Sequence, residues 1–295
     1  MTQPDFLIPK SNECERLFHG RGHFYPDLEH ICIDWFAPVV LITLYKPVEQ
    51  VWLNTLVSHI QSRVHQCQSI QVQHRYQKMA PVDVMWGDKI DSLTATEHGL
   101  NYKINLANNQ NHGLFLDMAN GRKWVIENAK NRRVVNLFSY TCAFSMAAHA
   151  GQADAIMNLD MAKAALSVGR ENHKLNKQAL DHVKFAGVDL FKSWGKLRRE
   201  AKFDLLICDP PSFQKGSVNI ERDYKKIIRR IPEFMQQGQS LLMLCLNSPD
   251  LSVEWLKQQV DEFCPECEFQ QQLANPNVFK EANPDKGLKV LIYRY

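Results

Sequence analysis

Nowhere in the 295 residues does an apolar run approach the roughly 20 residues that a membrane-spanning helix needs. The stretch Val39-Val-Leu-Ile-Thr-Leu-Tyr45 is strand-sized. The opening Met1-Thr-Gln-Pro-Asp-Phe6 has neither the basic stretch nor the apolar run of a secretory signal, so a cytoplasmic protein is expected, with no membrane partner. Charge of one sign is not in excess. Lys and Arg number 35 against 32 Asp and Glu, a formal net charge of +3, which neither demands nor excludes a nucleic-acid partner. The 8 cysteines are scattered rather than set in a framework, as in a reducing compartment. Cys264-Pro-Glu-Cys267 has no second pair and no nearby histidine, so it is expected to be incidental, and no metal site is expected. There is no internal repeat and no low-complexity segment.

What is present reads as two domains after an extension: 1–30 as an N-terminal extension, 31–84 as a small α+β domain, and 85–295 as a larger α/β domain. In the extension, Arg16-Leu-Phe-His-Gly-Arg-Gly-His-Phe-Tyr-Pro26 has no helical or strand period. Closely spaced Gly20 and Gly22 imply unusual backbone dihedrals. Two readings stay open for it: a basic-aromatic surface on which RNA bases stack while Arg21 meets phosphate, or an ordered linker. Strands follow at 31–36 and 38–45, an amphipathic helix at 48–66 and a strand at 69–75. Residues 90–104 read as a hairpin, and 120–130 as a helix.

From 134 the pattern alternates. Strands are expected at 134–137, 155–159, 182–185, 203–208 and 240–247, with helices at 144–150, 162–176, 222–236 and 251–263, a short helical or loop stretch at 192–201, and short strands near 269 and at 289–294. Unalternated aliphatic strands separated by helices imply a Rossmann-like, mostly parallel sheet with helices on both faces. Pro232 interrupts the long basic helix.

The chemistry gathers where strands end. Asp160, Asp189 and Asp209 close three successive strands, at the edge where open α/β sheets bind ligands. Asp160 stands about 20 residues past the first strand–helix turn, where an acid accepts from ribose hydroxyls. Asp189 is placed to accept from an adenine amino group. Asp209 opens the stiff corner Asp209-Pro-Pro-Ser-Phe213. The first turn, 136–145, contains no glycine. A dinucleotide's phosphates need glycines for backbone approach, so NAD and FAD are disfavoured. An adenosine carrying a sulfonium chain suits the turn better, with Ser139, Tyr140 and Thr141 as donors to its carboxylate.

Taken together, Asn136-Leu-Phe-Ser-Tyr-Thr141, Leu159-Asp-Met-Ala-Lys-Ala-Ala165, Arg170-Glu-Asn172 and Cys208-Asp-Pro-Pro-Ser-Phe213 resemble the class I S-adenosylmethionine-dependent methyltransferases. Within these, the chain is most similar to bacterial 23S ribosomal RNA methyltransferases that act on cytosine carbon 5 or on guanine. Gly113-Leu-Phe-Leu-Asp-Met118 is similar to that family's entry segment. The resemblance implies S-adenosyl-L-methionine as cofactor and RNA, ribosomal RNA first, as partner. By position it puts Asn136, Phe138, Ser139, Tyr140 and Thr141 around the methionine part, and Asp160 with Met161 at the ribose. It puts Asp189 with Leu190 at the adenine, Asp209 and Pro210 at the methyl-transfer site, and Phe115 with Asp117 over the pocket. The sequence departs from the family in three ways. Its Gly-Gly or Gly-Ala is Cys142-Ala143 here, its Asp-Gln-Arg is Asp117-Met118-Ala119, and the RNA-binding PUA module of the cytosine enzymes finds no room before residue 31.

Two mechanisms remain open. Carbon-5 methylation needs a thiolate to attack carbon 6, and Cys245 lies near the family's nucleophile, although Leu246 aligns with it; the alternative for Cys245 is a buried core thiol. Amine methylation needs no covalent step: Asp209 and the Pro210 carbonyl accept the amino hydrogens while Phe213 stacks on a flipped base. That chemistry usually sets an aromatic directly after Asp-Pro-Pro, and Ser212 intervenes here. Lys215, Arg222, Lys225, Lys226, Arg229 and Arg230 are either a phosphate-holding face or a solvated one, and Lys196, Arg198 and Arg199 join them only if their loop bends inward. The competing readings are a non-catalytic RNA-binding or cofactor-sensing module, and a dinucleotide-dependent oxidoreductase.

Overall fold

The computed structural model describes residues 2–107, 111–200, 202–214 and 218–295, and at Phe213 and Gln214 the backbone alone. The chain forms two compact units: 1–119 with 276–283, and 120–275 with 284–295. The division thus falls at 119/120 rather than at 84/85, and a short C-terminal segment joins the first unit.

The first unit is built on a five-stranded sheet in chain order. Its strands are β1 (Glu15–His19), β2 (Ile31–Phe36), β3 (Val39–Leu44), β4 (Ser69–His74) and β5 (Val82–Gly87). Helix α1 (Gln50–Arg63) supplies the one parallel crossover, from β3 to β4. β2 and β3 are buried along their whole length, which explains their unalternated sequence. β6 (Ser92–Glu97) and β7 (Leu100–Asn105) form the expected hairpin, inside this unit.

Residues 1–30 are therefore not an extension. Arg16 is bidentate to Asp34 at 2.6 and 3.2 Å, Phe18 is core, and Arg21 stacks on Tyr45 at 4.5 Å. Gly20 and Gly22 are required by close approach, not by unusual dihedrals. A Cβ on them would lie 1.8 Å from the Leu28 carbonyl oxygen and 1.9 Å from that of Lys280.

The second unit carries a seven-stranded sheet. Its elements are α2 (Ala119–Asn128), β8 (Arg133–Leu137), α3 (Ala143–Ala150), β9 (Ala155–Asp160), α4 (Lys163–Leu175), β10 (Val183–Gly187) and α5 (Trp194–Arg199). β11 (Leu205–Cys208) leads to a hairpin, β12 (Phe213–Gln214) with β13 (Val218–Asn219), then to α6 (Ile220–Ile228) and α7 (Ile231–Phe234). β14 (Leu241–Leu246), α8 (Val253–Phe263), β15 (Glu268–Leu273) and β16 (Lys289–Arg294) complete it. The strand order is β10-β9-β8-β11-β14-β16-β15, parallel from β10 to β14, with β16 antiparallel to both neighbours. This is the expected α/β, Rossmann-like sheet. One core joins Val135, Leu137, Leu206, Leu242 and Leu244 to Ile227, Phe234, Leu256 and Val260 of α6, α7 and α8. Among the described residues, no helix is long and apolar enough to cross a membrane.

Candidate active site

β8 is the strand from which the chain departs in both directions, to β9 and β10 on one side and to β11 and β14 on the other. The crevice beyond the carboxyl ends of β8 and β11 is the switch point where such sheets hold ligands. The first turn, Asp160, Asp189 and Asp209 all follow parallel strands and so reach this one edge.

The glycine-free turn reverses the chain in an unusual way. Phe138, Tyr140 and Cys142 all take positive φ, at 57°, 46° and 62°. Each such residue is disfavoured by about 1 kcal/mol or more, so the surroundings must hold it. The Ser139 N–H donates to the Leu159 carbonyl at 3.0 Å, and the Cys142 N–H to that of Ser139 at 2.7 Å. The Tyr140 N–H donates to Asp160 Oδ2 at 2.8 Å, and the other carboxylate oxygen takes the Ala162 N–H at 2.7 Å. Asn172 Nδ2 donates to the Thr141 carbonyl at 3.1 Å. Cys142, where the family has glycine, is 0% exposed, and burial pushes its thiol up to about 12.

The other predicted residues divide. Ser139, Thr141 and Leu190 are buried, Phe138 and Tyr140 half-buried, and Met161 is exposed at the rim. Asp189 Oδ1 accepts from the Phe191 N–H at 2.9 Å and so caps the short turn Leu190–Lys192. Asn136 lies inside β8 rather than in the turn. Strand alternation turns its amide to the face opposite Val135 and Leu137, where at 1% exposure it donates to Asn158 Oδ1 at 3.0 Å. Asn158 in turn donates to Ser145 Oγ, and Ser145 meets His173 Nε2, each at 2.9 Å. Phe115, 44% exposed, and half-buried Asp117 belong to the first unit.

Asp209 follows β11 half-buried and Pro210 is buried. The Ser212 hydroxyl donates to the Asn247 carbonyl, joining this corner to the end of β14. Cys245 is 0% exposed inside β14, and its carbonyl accepts from the Tyr224 hydroxyl at 3.0 Å. The side chain of Phe213 lies outside the described residues, as does Lys215.

The basic face is largely spent internally. Arg222 and Lys226 both clasp Asp223 at 2.7 Å, and the Arg222 hydrogen bond holds that carboxyl below the usual carboxylate range. Arg230 pairs with Glu233 at 2.9 Å, Arg198 meets the same carboxylate at 3.7 Å, and Arg229 lies 4.7 Å over Phe263. Lys225 is exposed on α6, while Lys196 and Arg199 sit on α5, where Arg199 Nε donates to the Gly195 carbonyl. Sequence reasoning quoted Asn172 only as part of a motif and did not see its hold on the turn; Ser145, Asn158 and His173 gave no signal beyond being polar residues in apolar elements.

A sequence model described as S-adenosylmethionine-dependent methyltransferase matches residues 15–294. The Erwinia tasmaniensis ribosomal RNA large subunit methyltransferase I is 28% identical over 249 residues, 81% of this chain and 62% of that protein. The ribosomal RNA large subunit methyltransferase K of Neisseria meningitidis serogroup B is 36% identical over 147 residues, 47% of this chain and 41% of that protein. The chain thus spans less than two thirds of the length of these relatives. Among solved structures, a Streptococcus mutans chain described as a SAM-dependent methyltransferase superposes with a TM-score of 0.86 at 24% identity, covering 97% of this chain and 76% of that one, which is a likeness of fold.

Proposed function

This chain belongs to the S-adenosylmethionine-dependent methyltransferase family, and from that premise we propose that it methylates a nitrogen of a base in RNA, ribosomal RNA first, without a covalent enzyme–base intermediate. The observation that carries the choice of chemistry is the burial of Cys245 inside β14 beside a corner, Asp209-Pro210, that reaches the switch point.

The site suits the cofactor on its own geometry. Asp160 is an acceptor-only group whose oxygens each take one backbone N–H, leaving lone pairs for two ribose hydroxyls. Asp189 offers an acceptor one strand further along the same edge. When bound, S-adenosyl-L-methionine supplies an electrophilic methyl group for in-line transfer. The chain's part is orientation. Asp209 and the Pro210 carbonyl accept hydrogens of the base's amino group and hold its lone pair toward the methyl donor. Pro210 and Pro211 contribute no N–H of their own to the corner. The Ser212 bond to Asn247 fixes the corner against the next strand.

The departures at Cys142, Met118 and Ala119, which would suit a non-catalytic module, lose force. Cys142 is packed under the turn and Met118 is a buried packing residue. A cytoplasmic location belongs to the same reading and accords with eight free cysteines among the described residues. The decisive experiment is nucleoside mass spectrometry of ribosomal and transfer RNA from a deletion strain. The expected result is loss of one N-methylated nucleoside from ribosomal RNA, restored by the wild-type gene and not by Asp209→Ala. Loss of 5-methylcytidine, or an unchanged profile, overturns the proposal.

A further inference from the structure

We propose that Gly169 and Asn172, three residues apart on one face of α4, are positioning residues: they hold the cofactor turn in its left-handed state and so set affinity for S-adenosyl-L-methionine. The inference rests on the reading of that turn as the cofactor's seat.

Gly169 is a buried glycine inside a helix, where glycine is disfavoured relative to alanine. Its surroundings give the reason. A Cβ there would lie 2.6 Å from Cys142 Sγ, 2.9 Å from Cys142 Cβ and 3.3 Å from the Thr141 carbonyl oxygen. The first two distances are shorter than real side chains tolerate. The first two are side-chain atoms of Cys142, and its Cβ is placed by the turn's backbone; the third is turn backbone. Rotation of the buried thiol does not relieve the Cβ contact, because that atom is set by a backbone with φ at 62° and an N–H tied to Ser139. The empty space at Gly169 therefore receives the thiol that the turn cannot point outward. Asn172, also 0% exposed, grips the adjacent carbonyl of Thr141 from the same helix face. Thus α4 reads the turn twice, once by shape and once by a hydrogen bond. The acid that faces ribose, Asp160, is bonded to the same turn through Tyr140. A displacement of the turn thereby carries to the carboxylate.

The test is calorimetric binding of S-adenosyl-L-methionine to wild type, Gly169→Ala, Asn172→Ala, and the double variant Gly169→Ala with Cys142→Gly, each checked for native circular dichroism and thermal midpoint. Wild type is expected to bind. Gly169→Ala is expected to weaken binding at least tenfold, and Asn172→Ala severalfold. The double variant is expected to recover most of the loss, because glycine at 142 removes both short contacts and accepts the positive φ. A purely structural role would lower the thermal midpoint while leaving the affinity of the folded protein alone. Unchanged affinity in Gly169→Ala, or no recovery in the double variant, overturns the inference. Absence of binding by wild type overturns the reading of the site, and the inference with it.

Discussion

His173 makes the stability of the second unit depend on acid. It is 0% exposed, its ring nitrogen Nε2 lies 2.9 Å from Ser145 Oγ, and Asn158 already donates to that oxygen at the same distance. Burial, rather than the direction of this hydrogen bond, disfavours the charged imidazole. Burial, then the nearby His149, lowers its pKa from 6.5 to about 4. The folded state thus binds fewer protons than the unfolded one. The stabilisation is complete above 6.5 and is lost as pH falls from 6.5 toward 4. Between pH 7 and pH 5 the loss is about 2 kcal/mol, from the slope of roughly 1.4 kcal/mol per unit. His19, buried in the first unit and pushed to about 3 by burial and by Arg16 and Arg21, adds a loss of the same sign. A comparison with His173→Gln removes that common part. Urea unfolding of both proteins at pH 7 and pH 5, followed by amide exchange in α4 and β9, is the assay. The wild type should lose about 2 kcal/mol more than the variant between the two pH values. A difference that does not change with pH refutes the neutral, buried imidazole.

Three further outcomes follow from the geometry. Asp209→Asn should lower kcat about a hundredfold or more while changing the affinity for S-adenosyl-L-methionine little, since the carboxylate is assigned to the base, measured by tritiated methyl transfer into RNA. Cys245→Ala should keep most of its activity in that assay, because a thiol inside β14 reaches no base; complete loss with a folded protein would revive the carbon-5 mechanism. Arg16→Met should leave Asp34 buried without its partner and cost the first unit about 3 kcal/mol in urea unfolding.

The parallel strands were legible because helices cover both faces, so β11 and β14 read as unbroken apolar runs, and β8 and β9 as apolar runs interrupted within the strand only by Asn136 and Asn158. β1 and β5 were not. β1 is broken by a bulge between Arg16 and Phe18 and is followed by Gly20 and Gly22, while β5 is an edge strand with Val84 and Trp86 exposed. The shared edge of Asp160 and Asp209 was readable because acids at the ends of parallel strands keep one edge whatever the strand's register. The hydrogen bond of Asn136 to Asn158 was not legible, although period-two alternation already turned its side chain to the face opposite Val135 and Leu137. The basic residues of α6 were visible as a stripe, but Asp223, which spends two of them, sits within the same stripe and was passed over.

The turn carries the more general point. A motif search asks for glycine where a backbone must take positive φ, and by that criterion residues 136–145 look altered. Physically, the requirement is for space at whichever atoms converge. Cys142 adds a side chain at the turn, and Gly169, 27 positions later on a different element, removes one at the place where that thiol goes. Cys142 and Gly169 are complementary across one contact. A departure in one motif and an otherwise costly residue in a neighbouring helix are then a single feature, which is why the rescue of Gly169→Ala by Cys142→Gly separates a compensated cofactor site from a decayed one.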